Sequence, residues 1–162
     1  PPEVITDYGI DAYRKHEEKR MILHYMQPHQ PFRSFGTRES SDSWISNDVW
    51  HELLFGEYSI EEVWNAYADN LEWVLEDIER LFRNVDADSV VITSDHGNAF
   101  GEFGIYGHPK YAPISAIKQV PWVELPAENT EQAEPKHTIE GLENREDPEV
   151  NVEDRLADLG YV

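Results

Sequence analysis

Between Ser59 and Asn84 the apolar residues fall three and four apart: Ile60, Val63, Trp64, Tyr67, Leu71, Val74, Leu75, Ile78, Leu81 and Phe82. That spacing gathers them on one stripe of an α-helix and leaves the carboxylates between them on the solvated side. Ser59 followed by Glu62 has the form of a capping box, which marks where the helix starts. The other signals are shorter. "RMILHYM", residues 20–26, reads as a buried strand ended by Pro28 and Pro31, and "SVVITS", residues 89–94, as a second. A third, "QVPWVEL", residues 119–125, follows a glycine-rich loop. A polar helical lead-in covers residues 7–19, residues 33–46 form a loop, and a short helix within "NDVWHELLFGE" closes at Gly56. The 162 residues make one domain segment, with 126–150 a surface loop or tether and 151–162 carrying a terminal helix over 152–159 closed by Gly160.

Strand, long helix, strand is the pattern of a right-handed crossover, which sets the two strands parallel in one sheet. The expectation is therefore an α/β fold with a parallel sheet. The carboxyl ends of such strands share an edge, and open parallel sheets bind ligands just beyond it. His29, after the first strand, and Asp95 and His96, after the second, fall at that edge.

Composition changes this picture in two ways. The 33 acidic residues against 13 basic ones give a net charge of −20, which argues against binding to nucleic acid or to an anionic membrane. The chain is 40% hydrophobic with five Trp, so acidity does not mean disorder. It means a salt-adapted, halophilic surface, because dense carboxylates stay hydrated while salt screens their mutual repulsion. The melting temperature is accordingly expected to fall when KCl is lowered from molar to millimolar; an unchanged melt would contradict it. With no Cys there is no disulfide or thiol chemistry. No signal peptide or membrane-spanning run is legible, which makes the cytoplasm the expected compartment, and an opening on Pro1-Pro2 leads us to expect a piece of a longer protein.

The candidate chemistry lies in "VVITSDHGNAFGEFGIYGHPKYAP", residues 90–113. Asp95 and His96 offer a carboxylate oxygen and an imidazole, donors suited to a divalent ion that polarises an ester. Asp-His-Gly after a strand is equally the signature of a turn. His108 lies beyond a loop holding Gly97, Gly101, Gly104 and Gly107 that can fold back over the strand ends, or is a surface residue before Pro109. His29 stands between two prolines that restrict its backbone. Glu102 has at best a supporting role, and Tyr106 and Tyr111 either line a pocket or pack against the protein. His24 is expected in the core and His16, His51 and His137 on the surface.

Taken together, "HYMQPHQPF", the long helix, "VVITSDHG", "GEFGIYGHP", "VPWVEL" and "VEDRLADLGYV" resemble the carboxyl-terminal half of the sulfatase family, within the alkaline phosphatase superfamily. The resemblance runs from about Met21 onward and rests on order and spacing. It implies a three-layer α/β sandwich around a parallel sheet, here partial because the amino-terminal half is missing, and hydrolysis of a sulfate or phosphate-type ester at a divalent metal ion (Ca, Mg, Mn or Zn). Asp95 and His96 match the family's late metal-ligand pair. His29 matches its Pro-His-x-Pro histidine, which contacts the anionic group or the leaving oxygen, and His108 falls where relatives place a Lys or His against the transferred group. His29 is the better general acid on this reading. Asn98 and Phe103 depart from the family's usual Glu and His.

The resemblance also exposes an absence. The family's nucleophile stands in a Cys-x-Pro-x-Arg or Ser-x-Pro-x-Arg segment, and this chain has neither. The expectation is a chain inactive alone, because covalent catalysis has no attacking group. The partners it would have are an anionic ester and a missing amino-terminal half, or a second copy. Two alternatives stay open: a phosphodiesterase or phosphonate hydrolase segment, and a non-catalytic, salt-adapted interaction domain with a bare sheet edge.

Overall fold

A computed structural model describes residues 1–15, 20–35 and 49–140, and every structural statement concerns those residues. Three helices lead: α1 (Pro2–Lys15), α2 (Val49–Leu54) and α3 (Ile60–Phe82). α3 starts where the capping box places it. The Glu62 amide donates to Ser59 Oγ at 3.2 Å and the Ser59 amide to Glu62 Oε2 at 2.8 Å, so two amides that a helix start leaves without partners are satisfied. α1 begins earlier than the lead-in read from sequence. Its Pro2 sits in the first turn, where a missing N–H costs nothing.

The apolar stripe of α3 is shared between two groups of contacts. Near its start, Val63 and Ala66 pack with Phe32, Val49, Trp50 and Leu53; near its end, Leu81 packs with Ile10, Val85 and Ala127. A third small cluster joins Ala99, Ala112 and Ile117.

After α3 come β1 (Ala87–Thr93), β2 (Ala99–Phe100), β3 (Tyr106–Gly107), α4 (Ser115–Lys118) and β4 (Trp122–Ala127). β1 and β4 pair antiparallel, with Val90 opposite Leu125 and Ile92 opposite Val123. β2 and β3 form a separate two-stranded antiparallel hairpin.

The expected parallel-sheet sandwich is therefore overturned: among the described residues there are two small antiparallel sheets and no parallel pair. The error lies in residues 20–26. They alternate as a strand would, with Leu23 and Tyr25 turned inward and Ile22 93% exposed, but they pair with no strand. Their contacts go to helices instead. Leu23 packs in the cluster of Ile10 and Leu81, and the Tyr25 hydroxyl meets Thr6 Oγ1 at 2.9 Å. Burial pushes the Tyr25 phenol up. With no first strand there is no crossover, and β1 takes β4 as its only ladder partner among the described residues.

Residues 128–140, expected as part of a loose tether, run along α1 and α3 under polar restraint. Asn84, fully buried, accepts the Ala133 amide at 2.8 Å; Asp7 accepts the Lys136 and His137 amides at 3.0 and 3.2 Å; Asp11 accepts the Ile139 amide at 2.8 Å. The predicted terminal helix, His16 and most of the 33–46 loop lie outside the described residues. Among those described, no helix is long and apolar enough to cross a membrane.

Candidate functional site

The Asp-His-Gly turn leaves β1 and is pinned by α4. The Gly97 amide donates to the Ile117 carbonyl at 2.9 Å, and a Cβ at Gly97 would lie 2.2 Å from the Ala116 carbonyl oxygen, so only glycine lets the two segments approach this closely. Asp95 Oδ1 accepts the His96 amide at 2.9 Å. The His96 ring donates from Nδ1 to the Gly97 carbonyl at 3.0 Å, and its Nε2 stands 3.7 Å from Asp95 Oδ2.

The β2–β3 hairpin then returns the chain to this turn. Gly107 carries φ of +69°, and a side chain there would press within 2.9 Å of the Trp50 ring. His108 follows directly and stacks on His96, ring centroids 4.2 Å apart at 29°. Its Nδ1 lies 2.8 Å from Asn98 Oδ1, and Asn98 Nδ2 reaches the Tyr67 hydroxyl of α3 at 3.5 Å.

His29 arrives from the other side of the sequence. Its loop holds cis peptides at Gln27-Pro28 and Gln30-Pro31. Asn70 of α3, completely buried, clamps the loop, donating to the His29 and Pro31 carbonyls at 3.2 Å each and accepting the Arg33 amide at 3.1 Å. The His29 ring donates from Nδ1 to the Gln30 carbonyl at 2.6 Å and sits 5.9 Å from His108, edge to face.

Three imidazoles from three distant segments thus adjoin one another, with His108 in the middle. Each Nδ1 faces an oxygen acceptor: a carbonyl for His29 and His96, an amide oxygen for His108. A neutral imidazole whose Nδ1 hydrogen is engaged in this way has its lone pair on Nε2, the arrangement found in histidines that bind metals or take protons.

As a metal site the donor set fits in part. Asp95 Oδ2 and His96 Nε2, 3.7 Å apart, could both touch one divalent ion with bonds of about 2.0–2.2 Å. The adjoining histidines do not bring three or more such side chains into a group that could hold one ion among the described residues, so most of the ion's sphere would be filled by water or by a bound oxyanion.

The remaining candidates divide. Glu102 Oε2 accepts the Phe100 amide at 2.6 Å and serves its own loop. Tyr106 packs against the cluster around Trp50, whereas Tyr111 is 93% exposed. His24, expected in the core, is exposed, and His51 is exposed as expected. His137, expected on the surface, donates from Nδ1 to the buried Asp7 carboxylate at 2.9 Å. A cavity of about 350 Å³ lies beside that pair, lined by Glu3, Asp7, Arg80, Glu134 and Lys136, away from the three histidines. Sequence reasoning missed Asn70, Tyr67 and Asn98, which hold the site together. A signal existed for Asn70, an amide that falls on the apolar stripe of α3 three residues after Tyr67 and four before Val74. No family model, no curated protein and no solved structure matches this chain.

Proposed function

We propose that the chain is the metal- and anion-handling part of a hydrolase of sulfate esters, of the sulfatase type, that cannot turn over without a nucleophile supplied by other residues. The observation that carries this reading is the meeting of His29, His96 and His108 from separate segments beside Asp95, with each imidazole's Nδ1 set against an oxygen. Asp95 and His96 would hold a divalent ion, which when bound supplies charge to polarise the ester. His29, its Nδ1 hydrogen held by the Gln30 carbonyl, would serve as the general acid in its imidazolium form, delivering the Nε2 proton to the leaving oxygen and returning to the neutral ring, and His108 faces the transferred group. Phosphate diesters and phosphonates have the same anionic oxygens, and a substrate profile separates them from sulfate esters.

The test is metal binding by the chain as it stands. Mn²⁺ is expected to bind with a dissociation constant of about 10⁻⁴ M or weaker, as a few-ligand site should, and Asp95→Ala to weaken it at least tenfold, about 1.4 kcal/mol. Calorimetry showing equal binding in both proteins would end the assignment of Asp95. Aryl sulfates should stay intact with this chain alone and be cleaved by any natural product that also carries the nucleophile.

A second reading has its own observation. On β1 and β4, Val91, Trp122, Val123 and Leu125 are 37–70% exposed, more apolar surface than a short antiparallel pair usually leaves to water. An interaction domain would use that surface, and sedimentation showing a stable oligomer unaffected by Asp95→Ala would favour it over the hydrolase.

A further inference from the structure

A two-stranded ladder has two outer edges, and those of β1 and β4 differ. β4 contains Pro126 and follows Pro121, residues with no N–H to offer a further strand. β1, with the sequence ADSVVIT, contains neither proline nor lysine, two residues that commonly blunt an edge. Its only irregularity lies between Ala87 and Val90, which leaves residues 90–93 in regular register. The ladder bonds of β1 go to β4, and among the described residues no other backbone hydrogen bond reaches it. None of its seven residues is buried. The edge of β1 turned from β4 therefore offers water a row of backbone donors and acceptors.

The side chains say what would fit along it. Residues opposite one another lie on the same face of the pair, so Val90 and Ile92 share a face with Leu125 and Val123, and Val91 and Thr93 share the other with Glu124 and Trp122. Val90 packs against the cluster of Ile10, Leu81, Val85 and Ala127, as does Leu23 of the 20–26 run, which makes no ladder of its own. The first face is thus apolar. The second carries a carboxylate, Glu124, which accepts from Ser89 Oγ at 2.6 Å. Neither strand has a basic residue, and the chain as a whole carries a charge of −20. A second copy would bring the same charge and the same acidic face. A strand that alternates apolar with basic residues meets both faces and opposes the charge.

We propose that the edge of β1 turned from β4 is a docking edge for one extended segment of another polypeptide in which apolar and basic residues alternate. Its backbone extends the ladder, its apolar side chains continue the face of Val90 and Ile92, and its basic side chains lie on the face that carries Glu124. Main-chain bonds supply the affinity in this mode of recognition and alternate side chains the selectivity. The proposal gives the interaction reading its partner and rests on that reading, not on the histidines.

The probe is a synthetic peptide of alternating Val and Lys, as long as the seven residues of β1, and its control carries Glu in place of Lys. Amide hydrogen exchange of the ¹⁵N-labelled chain, at one KCl concentration throughout, is expected to find the β1 amides that do not bond to β4 exchanging freely, and the Val–Lys peptide to slow them. The control peptide, and Val91→Lys with the original peptide, should each bind weaker by about tenfold or more. Val91 is 37% exposed and stands opposite Glu124, so a lysine there suits the fold. Should that variant fail to fold, Glu124→Lys reverses the charge on the same face and is expected to show the same loss. Slow exchange of those amides without peptide, no binding, or binding that leaves them unslowed would overturn the proposal. Two copies sharing the edge in sedimentation would keep the interaction reading and overturn this partner. Absence of Mn²⁺ binding with β1 still protected by the peptide would remove the hydrolase reading alone.

Discussion

Replacing Asp7 by Ala should destabilise the chain by about 3–5 kcal/mol, the range found when one partner of a buried charge pair is removed. Asp7 is 2% exposed, and every group that touches its carboxylate is a donor: the Arg80 guanidinium, the Lys136 and His137 amides, and His137 Nδ1. Truncation leaves all four to find other acceptors. Arg80 retains Asp77 at 3.6 Å, so the loss belongs mainly to residues 133–140, which should detach from α1 and α3. Asp7→Asn is expected to do nearly as much harm. An amide offers one oxygen and one NH₂, and the NH₂ must face a donor whichever way it turns. Urea denaturation of both variants measures the effect, and a loss under about 1 kcal/mol for Asp7→Ala would mean that residues 133–140 are held mainly by other contacts.

The same residue sets part of the response to acid. Burial pushes the Asp7 carboxyl up, but hydrogen bonds from Arg80 and His137, together with the guanidinium charge, outweigh it and hold the group below the ordinary aspartate range. A folded pKa below the unfolded one contributes stability that is complete above the unfolded value and is lost as pH falls through the folded value. Asp77 works the other way. Burial raises it and nearby Glu3 and Asp7 add to the rise, against Arg80, so its contribution is present at low pH and lost as pH increases. The contacts of Asp7 with Arg80 and His137 should therefore fail only in strong acid, below the ordinary aspartate range.

What could be read from the sequence was what depends on nearby residues. The capping box of Ser59 and Glu62 and the stop at Gly56 are set within a few positions and stand where expected, while the stripe of α3 is buried only in part, with Ile60, Trp64, Leu71 and Leu75 exposed. Strand pairing is different in kind. The apolar run at residues 20–26 reads as a buried strand; Leu23 and Tyr25 do face in while Met21, Ile22 and Met26 are exposed, and such a run carries no information about which neighbour takes the backbone's hydrogen bonds. Here helices α1 and α3 occupy the place given to a strand, so the crossover and the parallel sheet fall together. The three candidate histidines adjoin one another by other means. His29, His96 and His108 meet although no parallel-sheet edge is present among the described residues, because Asn70 and the β2–β3 hairpin do that work instead. Polar residues buried in helices are hard to foresee, since most amides in an amphipathic helix face water.

That substitution of an amide for a sheet edge makes Asn70 the most informative residue in α3. Asn70→Leu keeps the volume close and should cost about 2–4 kcal/mol, because the His29 and Pro31 carbonyls and the Arg33 amide each lose a partner, at about 1–3 kcal/mol for a group left buried, with part recovered from water. Asn70→Asp separates the components. It keeps an acceptor for the Arg33 amide but sets a carboxylate oxygen against two carbonyls, so it should be at least as harmful as Leu. The stability change alone would fit any buried polar residue, and the geometry of His29 provides the second readout. With the clamp gone, the 29–33 loop keeps only the packing of Phe32 on the face of α3 that carries Tyr67, and the proton contact between the His29 and His108 rings should weaken in nuclear Overhauser spectra. The stacking of His96 on His108 should persist, since α4, the hairpin and Asn98 hold it independently. If Asn70→Leu lowers stability yet His29 stays against His108, the prolines flanking His29 and the packing of Phe32 fix the loop without the amide, and the histidine cluster owes its assembly to them.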